Sequence, residues 1–200
     1  MTQICLVRHG ETDWNALGKI QGTTDIPLNE TGKKQAEACG AFLKGTDWDV
    51  LITSPLKRAK ETAEIINTYM DMPLEEMAEF KERSFGDAEG MTPEERTERF
   101  PGRIYPNQEE VETLHKRLEM GLEKINDRYK NKRVLLVAHG AVINAILSVF
   151  SEGEIGSGKT QLMNACLSNI SYKENKWEIA NYNQVTHLDM TDKKMQNQIF

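Results

Sequence analysis

Three short apolar runs, "ICLVRH" (4–9), "DVLIT" (49–53) and "RVLLVAH" (133–139), constrain the fold of this chain more than any other feature. They are rich in branched apolar residues and have no polar face, which is the pattern of strands covered on both sides inside a parallel sheet. Each is followed by a helical signal. After the second run, "SPLKRAKETAEIINTYM" places Ser54 as a helix N-cap and Pro55 in the first turn, with Leu56, Ala59, Ala63, Ile66 and Met70 on one stripe. Residues 108–129 carry a second stripe of Val111, Leu114, Leu118, Leu122, Ile125 and Tyr129. Near the C-terminus, "ACLSNISYKENKWEIANYN" reads as two strands around the turn "KENK", with Cys166 opening the first. Strands alternating with helices predict an α/β fold in three layers, α/β/α, with a mostly parallel central sheet and right-handed crossovers.

A length of 200 residues suits one core, so residues 1–200 are expected to form a single domain. No apolar run approaches the roughly 20 residues that span a bilayer, which predicts no membrane partner. The start, "MTQICLVRHGET", reaches charged residues before a signal-peptide core can form, and the three cysteines lack a C-x-x-C spacing. The expected setting is reducing and cytoplasmic. A net charge of -6 argues against a nucleic-acid partner, so any anion site must be a local pocket.

The chemistry-bearing feature is a near-repetition. "CLVRHGET" and "LLVAHGAV" both put His-Gly at the carboxyl end of a buried strand, where open α/β sheets bind ligands. A lone histidine there is commonly structural; two in one sheet, one preceded by Arg8, point to a site. Partly neutral imidazole can attack phosphorus and form a phosphohistidine, and the transferred group is stabilised by cationic donors. Arg8 is one candidate clamp. Arg58 is a second, near the start of the helix after "DVLIT", although taken alone it reads as an exposed arginine paired with Glu61 or Glu64. A proton donor for the leaving group is offered by "KERSFGDAEG" (81–90), where spacing leaves Glu82, Asp87 and Glu89 open.

One competing motif needs an answer. "GEIGSGKT" (153–160) fits the nucleotide-cradling pattern G-x-x-x-x-G-K-[ST], which requires a strand before it and a helix after it. Here "GAVINAILSVFSE" before it has helical spacing, and "QLMNACLSNISY" after it leads into a strand. The stretch is therefore expected to be a glycine-rich helix exit with Gly153 as C-cap rather than a nucleotide site.

The order of "LVRHGETDWN", "GTTDIPLNETGKKQA", "ITSPLKRAKETAEII", "FKERSFGDAEGM" and "VLLVAHGAVI" resembles the histidine phosphatase superfamily, the phosphoglycerate mutase-like group, over residues 3 to 188. The resemblance implies a phosphoglycerate mutase-like fold. It implies that His9 is the phosphorylated nucleophile and that Glu82 is general acid and base. Arg8, Arg58 and His139 would bind the phosphoryl oxygens, with Asn15, Gln21, Gly22 and the Gly140 backbone N–H also at the phosphate. It further implies no metal and no cofactor. The chain is most similar to the short bacterial broad-specificity phosphatases of the Bacillus type, which implies hydrolysis of small phosphorylated metabolites by a monomer or homodimer.

The mutases of the group carry a longer insertion where this chain has only "MTPEERTERFPGRIYPNQEEVETLHKRL", so phosphatase is favoured over phosphoglycerate mutase; an α-ribazole phosphatase shares the same frame. Within that segment "PNQEEVETL" departs from the family's Gly-Glu-Ser pattern, and "EERTERF" reads as a solvated lid helix. Phe85, Met91 and Phe100 are candidates for an apolar mouth. His115 is expected to be exposed, and His187 to pack on the last strand.

Overall fold

The computed structural model describes residues 1–188. In chain order the elements are β1 (Thr2–Arg8), α1 (Asp13–Ala16), α2 (Glu30–Leu43), β2 (Val50–Thr53), α3 (Lys57–Asn67), β3 (Leu74–Glu76), α4 (Pro93–Arg99), α5 (Val111–Arg128), β4 (Arg133–Ala138), α6 (Gly140–Phe150), β5 (Leu167–Lys173) and β6 (Lys176–Gln184), with short 3₁₀ turns at Ala78–Phe80 and Gly86–Ala88. One six-stranded sheet runs β3-β2-β4-β1-β5-β6. Its first four strands are parallel, and the β5–β6 hairpin adds two antiparallel strands at one edge. The hairpin turn falls on Glu174 and Asn175, both left-handed, as a two-residue connection between twisted strands requires.

The lack of a polar face in the three apolar runs is explained by two coverings. Successive residues of a strand point to opposite faces. Cys5, Val7, Leu51, Leu135 and Val137 meet Cys39 and Leu43 of α2 and Ala59, Ala63 and Ile66 of α3. Ile4, Leu6, Ile52 and Leu136 meet Leu114, Leu118, Leu122 and Ile125 of α5 and Val142, Ile143 and Ile146 of α6. The result is the expected three-layer α/β/α fold of the phosphoglycerate mutase-like kind.

Several local expectations change. Helix α3 starts at Lys57, so Ser54 and Pro55 precede it, and Leu56 caps it without a side-chain bond. The Ser54 hydroxyl accepts from the Leu56 N–H at 3.3 Å, ahead of the helix, and lies 2.7 Å from His139 Nε2. Helix α5 begins at Val111, which is exposed, rather than at 108. His115 is half-buried where α5 faces α6 and the hairpin. Helix α6 ends with Ser151 as C-cap, and both Glu152 and Gly153 then turn left-handed, so Gly153 follows the cap. Residues 153–160 do join a helix to the approach of a strand. Cys166 lies buried just before β5. His187 bonds the Ala165 carbonyl and Cys39 and lies against Phe42, which places its ring on α2.

Candidate active site

The register of the sheet builds the centre of the site. Arg8 pairs with Ala138 and Thr53 with Val137 in adjacent parallel strands, so the next residues, His9, His139 and Ser54, emerge together from the carboxyl ends of β1, β4 and β2. The two imidazole centroids lie 5.2 Å apart, close to one inter-strand spacing. His9 Nδ1 lies 2.6 Å from the Gly10 carbonyl. A carbonyl only accepts, so Nδ1 carries the proton and the Nε2 lone pair is left for other work. His139 is held the other way round, with Nε2 2.7 Å from the Ser54 hydroxyl and a buried Nδ1 without a partner among the described residues.

Both rings are buried. Burial first, then the charges of Arg58 and Arg8, pushes the pKa of His9 well below its ordinary 6.5. Burial and Arg58 do the same to His139, with smaller contributions from His9, Arg8 and Arg117. An imidazole held neutral keeps its lone pair at and below neutral pH.

Arg58 is 1% exposed, which overturns its reading as a surface residue paired along the helix. It donates from Nη1 to the Thr24 carbonyl at 2.9 Å and from Nη2 to the Gly22 carbonyl at 2.7 Å. Burial lowers its pKa to about 10, so it stays cationic at neutral pH. Arg8 is half-buried and donates to the Leu162 carbonyl. The Nε atoms of both arginines are buried without an acceptor among the described residues. A buried donor left unpaired costs about 1–3 kcal/mol, which an anion placed among them would relieve.

Glu82 is distinguished from its neighbours by its surroundings. Its carboxylate accepts from the N–H groups of Arg83 (2.9 Å), Ala141 (3.2 Å) and Val142 (3.2 Å), the last two in the first turn of α6. Burial nevertheless raises its pKa, against the opposing pull of Arg58, the Arg83 and Ala141 N–H groups and Arg8. Asp87 is exposed and accepts from Asn107, while Glu89 binds the Thr23, Thr24 and Phe85 N–H groups and so ties two loops together. A Cβ on Gly22, which is left-handed, would lie 2.0 Å from Glu89 Oε1, so that joint requires glycine.

Arg8, His9, Asn15, Gln21, Gly22, Arg58, Glu82 and Gly140 line one cleft of about 760 Å³. His139 stands beside His9, outside that lining. Asn15 closes a capping box with Thr12, and Gln21 accepts from the Thr12 hydroxyl at 2.7 Å. A larger recess of about 1090 Å³ between α5, α6 and the hairpin contains none of these residues, so chemistry rather than volume locates the site.

Sequence reasoning missed the supporting residues. Asn164 donates to the His9 carbonyl (3.1 Å) and to Asn15 Oδ1 (3.2 Å), and the Ala165 N–H also reaches the His9 carbonyl (3.2 Å). Thr62 accepts from the Gly10 N–H at 3.0 Å. These contacts join residues tens of positions apart, so no local spacing advertises them. Of the expected apolar mouth, Phe85 lines the cleft and Phe100 instead packs on Tyr105. Met91 borders a neighbouring shallow recess.

Residues 4–185 match the family described as "Histidine phosphatase superfamily (branch 1)". The chain belongs to this superfamily. As a member it is an enzyme of the phosphatase class. It is 58% identical over 188 residues to the "Uncharacterized phosphatase PhoE" of Bacillus subtilis (strain 168), covering 94% of this chain and 97% of that one. It is 35% identical to the "Metal-independent phosphoserine phosphatase" of Arabidopsis thaliana, covering 94% and 84%. Among solved structures, phosphoserine phosphatase from Entamoeba histolytica, in complex with 3-phosphoglyceric acid, superposes with a TM-score of 0.83 at 31% identity, covering 94% of this chain and all of that one.

In this histidine phosphatase the cleft mouth is formed by the exposed helix α4, started by a Thr92–Glu95 capping box with Pro93 in the first turn. No group of three or more His, Cys, Asp or Glu arranged to hold a metal occurs among the described residues. No helix among them is long and apolar enough to cross a membrane.

Proposed function

We propose that the chain is a metal-independent phosphatase that hydrolyses small phosphate monoesters through a phosphohistidine on His9, with Glu82 as general acid and base. The observation that carries this reading is a neutral, oriented imidazole in the same buried cleft as two arginines and a carboxyl group of raised pKa. Arg8, Arg58, His139, Asn15, Gln21, Gly22 and the Gly140 N–H would hold the phosphoryl oxygens.

His9 Nε2 attacks phosphorus and the phosphorus–oxygen bond to the leaving group breaks, while Glu82 gives its proton to the departing alkoxide. Glu82, now ionised, takes a proton from water as the water oxygen attacks phosphorus. The phosphorus–nitrogen bond breaks, inorganic phosphate leaves, and neutral His9 and protonated Glu82 are restored. Arginine donors balance the charge carried on the equatorial oxygens throughout.

Small phosphorylated metabolites are the partner class that suits the cleft, in keeping with the ligand named for the Entamoeba protein. The short exposed lid leaves the phosphohistidine open to water, which favours hydrolysis over return of the phosphoryl group to a bound product. Cys5, Cys39 and Cys166 are free and buried, which suits a reducing compartment such as the cytoplasm.

A panel of phosphate monoesters assayed with a chelator present tests the reading. Release of inorganic phosphate, together with an acid-labile phosphoenzyme trapped on His9, is expected. Interconversion of 2- and 3-phosphoglycerate that depends on the bisphosphate, with little phosphate released, would make the chain a mutase instead.

A further inference from the structure

We infer that Arg117 and Glu109, which lie outside the cleft, form a clasp that positions Glu82 for proton transfer. This rests on the reading of Glu82 as general acid given above. Arg117, on α5, makes a two-pronged ion pair with Glu109, Nε to Oε1 at 2.7 Å and Nη2 to Oε2 at 2.9 Å. Its other donors turn to the backbone of the glutamate segment, Nη1 to the Glu79 carbonyl and Nη2 to the Glu82 carbonyl at 3.3 Å. Glu109 is tied to the same segment through its own backbone. Its N–H donates to the Ser84 carbonyl at 2.9 Å, and its carbonyl accepts from Arg83 Nε at 2.9 Å.

Glu82 is thus gripped at both ends. The first turn of α6 holds its carboxylate, and the clasp on α5 holds its main chain. Segment 81–85 has no helix or strand of its own to fix it, so its position depends on these bonds. The ion pair is well shielded, with side chains 21% and 16% exposed, and its geometry is the planar fork that only arginine offers a carboxylate. The same guanidinium also reaches the carbonyl of Glu79 and that of the buried Glu82 itself, which ties the ion pair to the glutamate segment.

The consequence is chemical. Loosening the clasp moves the acid away from the leaving oxygen, and that matters only when the leaving group needs a proton. Removing a positioned general acid typically lowers the rate by about 10²–10⁴-fold, and displacing one lowers it by less.

The experiment compares an alkyl phosphate with a dinitrophenyl phosphate, whose leaving group departs without protonation, in Arg117→Met, Arg117→Lys and Glu109→Gln, with Glu82→Gln as reference. For Arg117→Met we expect kcat/KM to fall about 10–100-fold on the alkyl ester and less than about threefold on the dinitrophenyl ester. Glu82→Gln is expected to show the same leaving-group dependence more strongly, and Arg117→Lys to recover little because ammonium cannot reproduce the fork. Equal losses on both esters, or none, in Arg117→Met and Glu109→Gln would overturn the clasp while leaving Glu82 as acid. Glu109→Gln reads the clasp from its other side if Arg117→Met does not fold. If Glu82→Gln itself loses equally on both esters, the acid assignment fails, and the clasp with it.

Discussion

His9 and His139 follow adjacent parallel strands, each is followed by glycine, and each ring is buried, yet the two are held by opposite ring nitrogens. His9 is fixed through Nδ1 by the carbonyl of its own neighbour and faces the cleft with Nε2. His139 is fixed through Nε2 by Ser54, which follows a third strand, and its buried Nδ1 has no partner among the described residues. Their glycines differ as well. Gly10 lies against the backbone of Gly32 on α2, whereas Gly140 opens α6, whose next two N–H groups hold Glu82. Two similar local sequences therefore acquire different hydrogen bonding and packing from the elements around them, β2 and α6 in one case and α2 in the other.

The sharpest way to break this comparison is to remove each ring. His9→Ala is expected to lose at least about 10⁴-fold in kcat, to form no acid-labile phosphoenzyme and to keep its fold. His139→Ala is expected to lose about 10²–10³-fold, the scale of one oxyanion donor, while still labelling on His9. Equal losses, or labelling that disappears only in His139→Ala, would reverse the roles.

A smaller effect is expected at the glycines. A Cβ on Gly10 would meet the Gly32 carbonyl oxygen at 2.4 Å, whereas one on Gly140 would meet Arg8 Nε at 3.5 Å, an ordinary contact. Gly10→Ala should destabilise by about 1–3 kcal/mol and lower Tm by several degrees, and Gly140→Ala should stay within about 1 kcal/mol of the parent. Thermal unfolding of the two variants side by side decides it; matching Tm values would mean that the α2 contact does not constrain the His9 loop.

The smallest effect concerns pH. Both histidines have folded pKa values below 6.5, so between 6.5 and those values the unfolded chain binds protons that the folded chain refuses. Stability from these groups is full above 6.5 and declines as pH falls below it. Glu82 acts with the opposite sign, since its raised folded pKa makes stability decline as pH rises above 4.5. Comparing Tm against pH for the parent and His139→Ala isolates one imidazole. The variant should lose less between pH about 7 and 5. An identical slope would remove His139 from the set of residues kept neutral by the fold.

Much of this was legible in the sequence because it is local. Short apolar runs rich in branched residues, each followed by a helix signal, read as strands covered on both faces, and "HGE" or "HGA" after such a run places a histidine at a sheet end. The hairpin announced itself in "KENK", and the strand and helix order dismissed "GEIGSGKT" as a nucleotide cradle. What misled was also local. Ser54 sits where a helix cap would, and only the arrival of His139 from β4 gives its hydroxyl a better partner. Spacing left Glu82, Asp87 and Glu89 equivalent, because burial is a property of the packed molecule.

The sequence by itself determined the three-layer fold, the two strand-end histidines and, through resemblance, the superfamily, since periodicity, turn chemistry and motif order are carried by near neighbours in the chain. Only the tertiary structure decided which imidazole nitrogen faces the cleft, that Arg58 is buried rather than solvated, and which carboxyl group is pushed up in pKa. Those properties depend on desolvation and on hydrogen bonds between residues 36 to 155 positions apart, such as Arg58 to Gly22, Glu82 to α6, and Asn164 to His9. No window along the chain contains both partners.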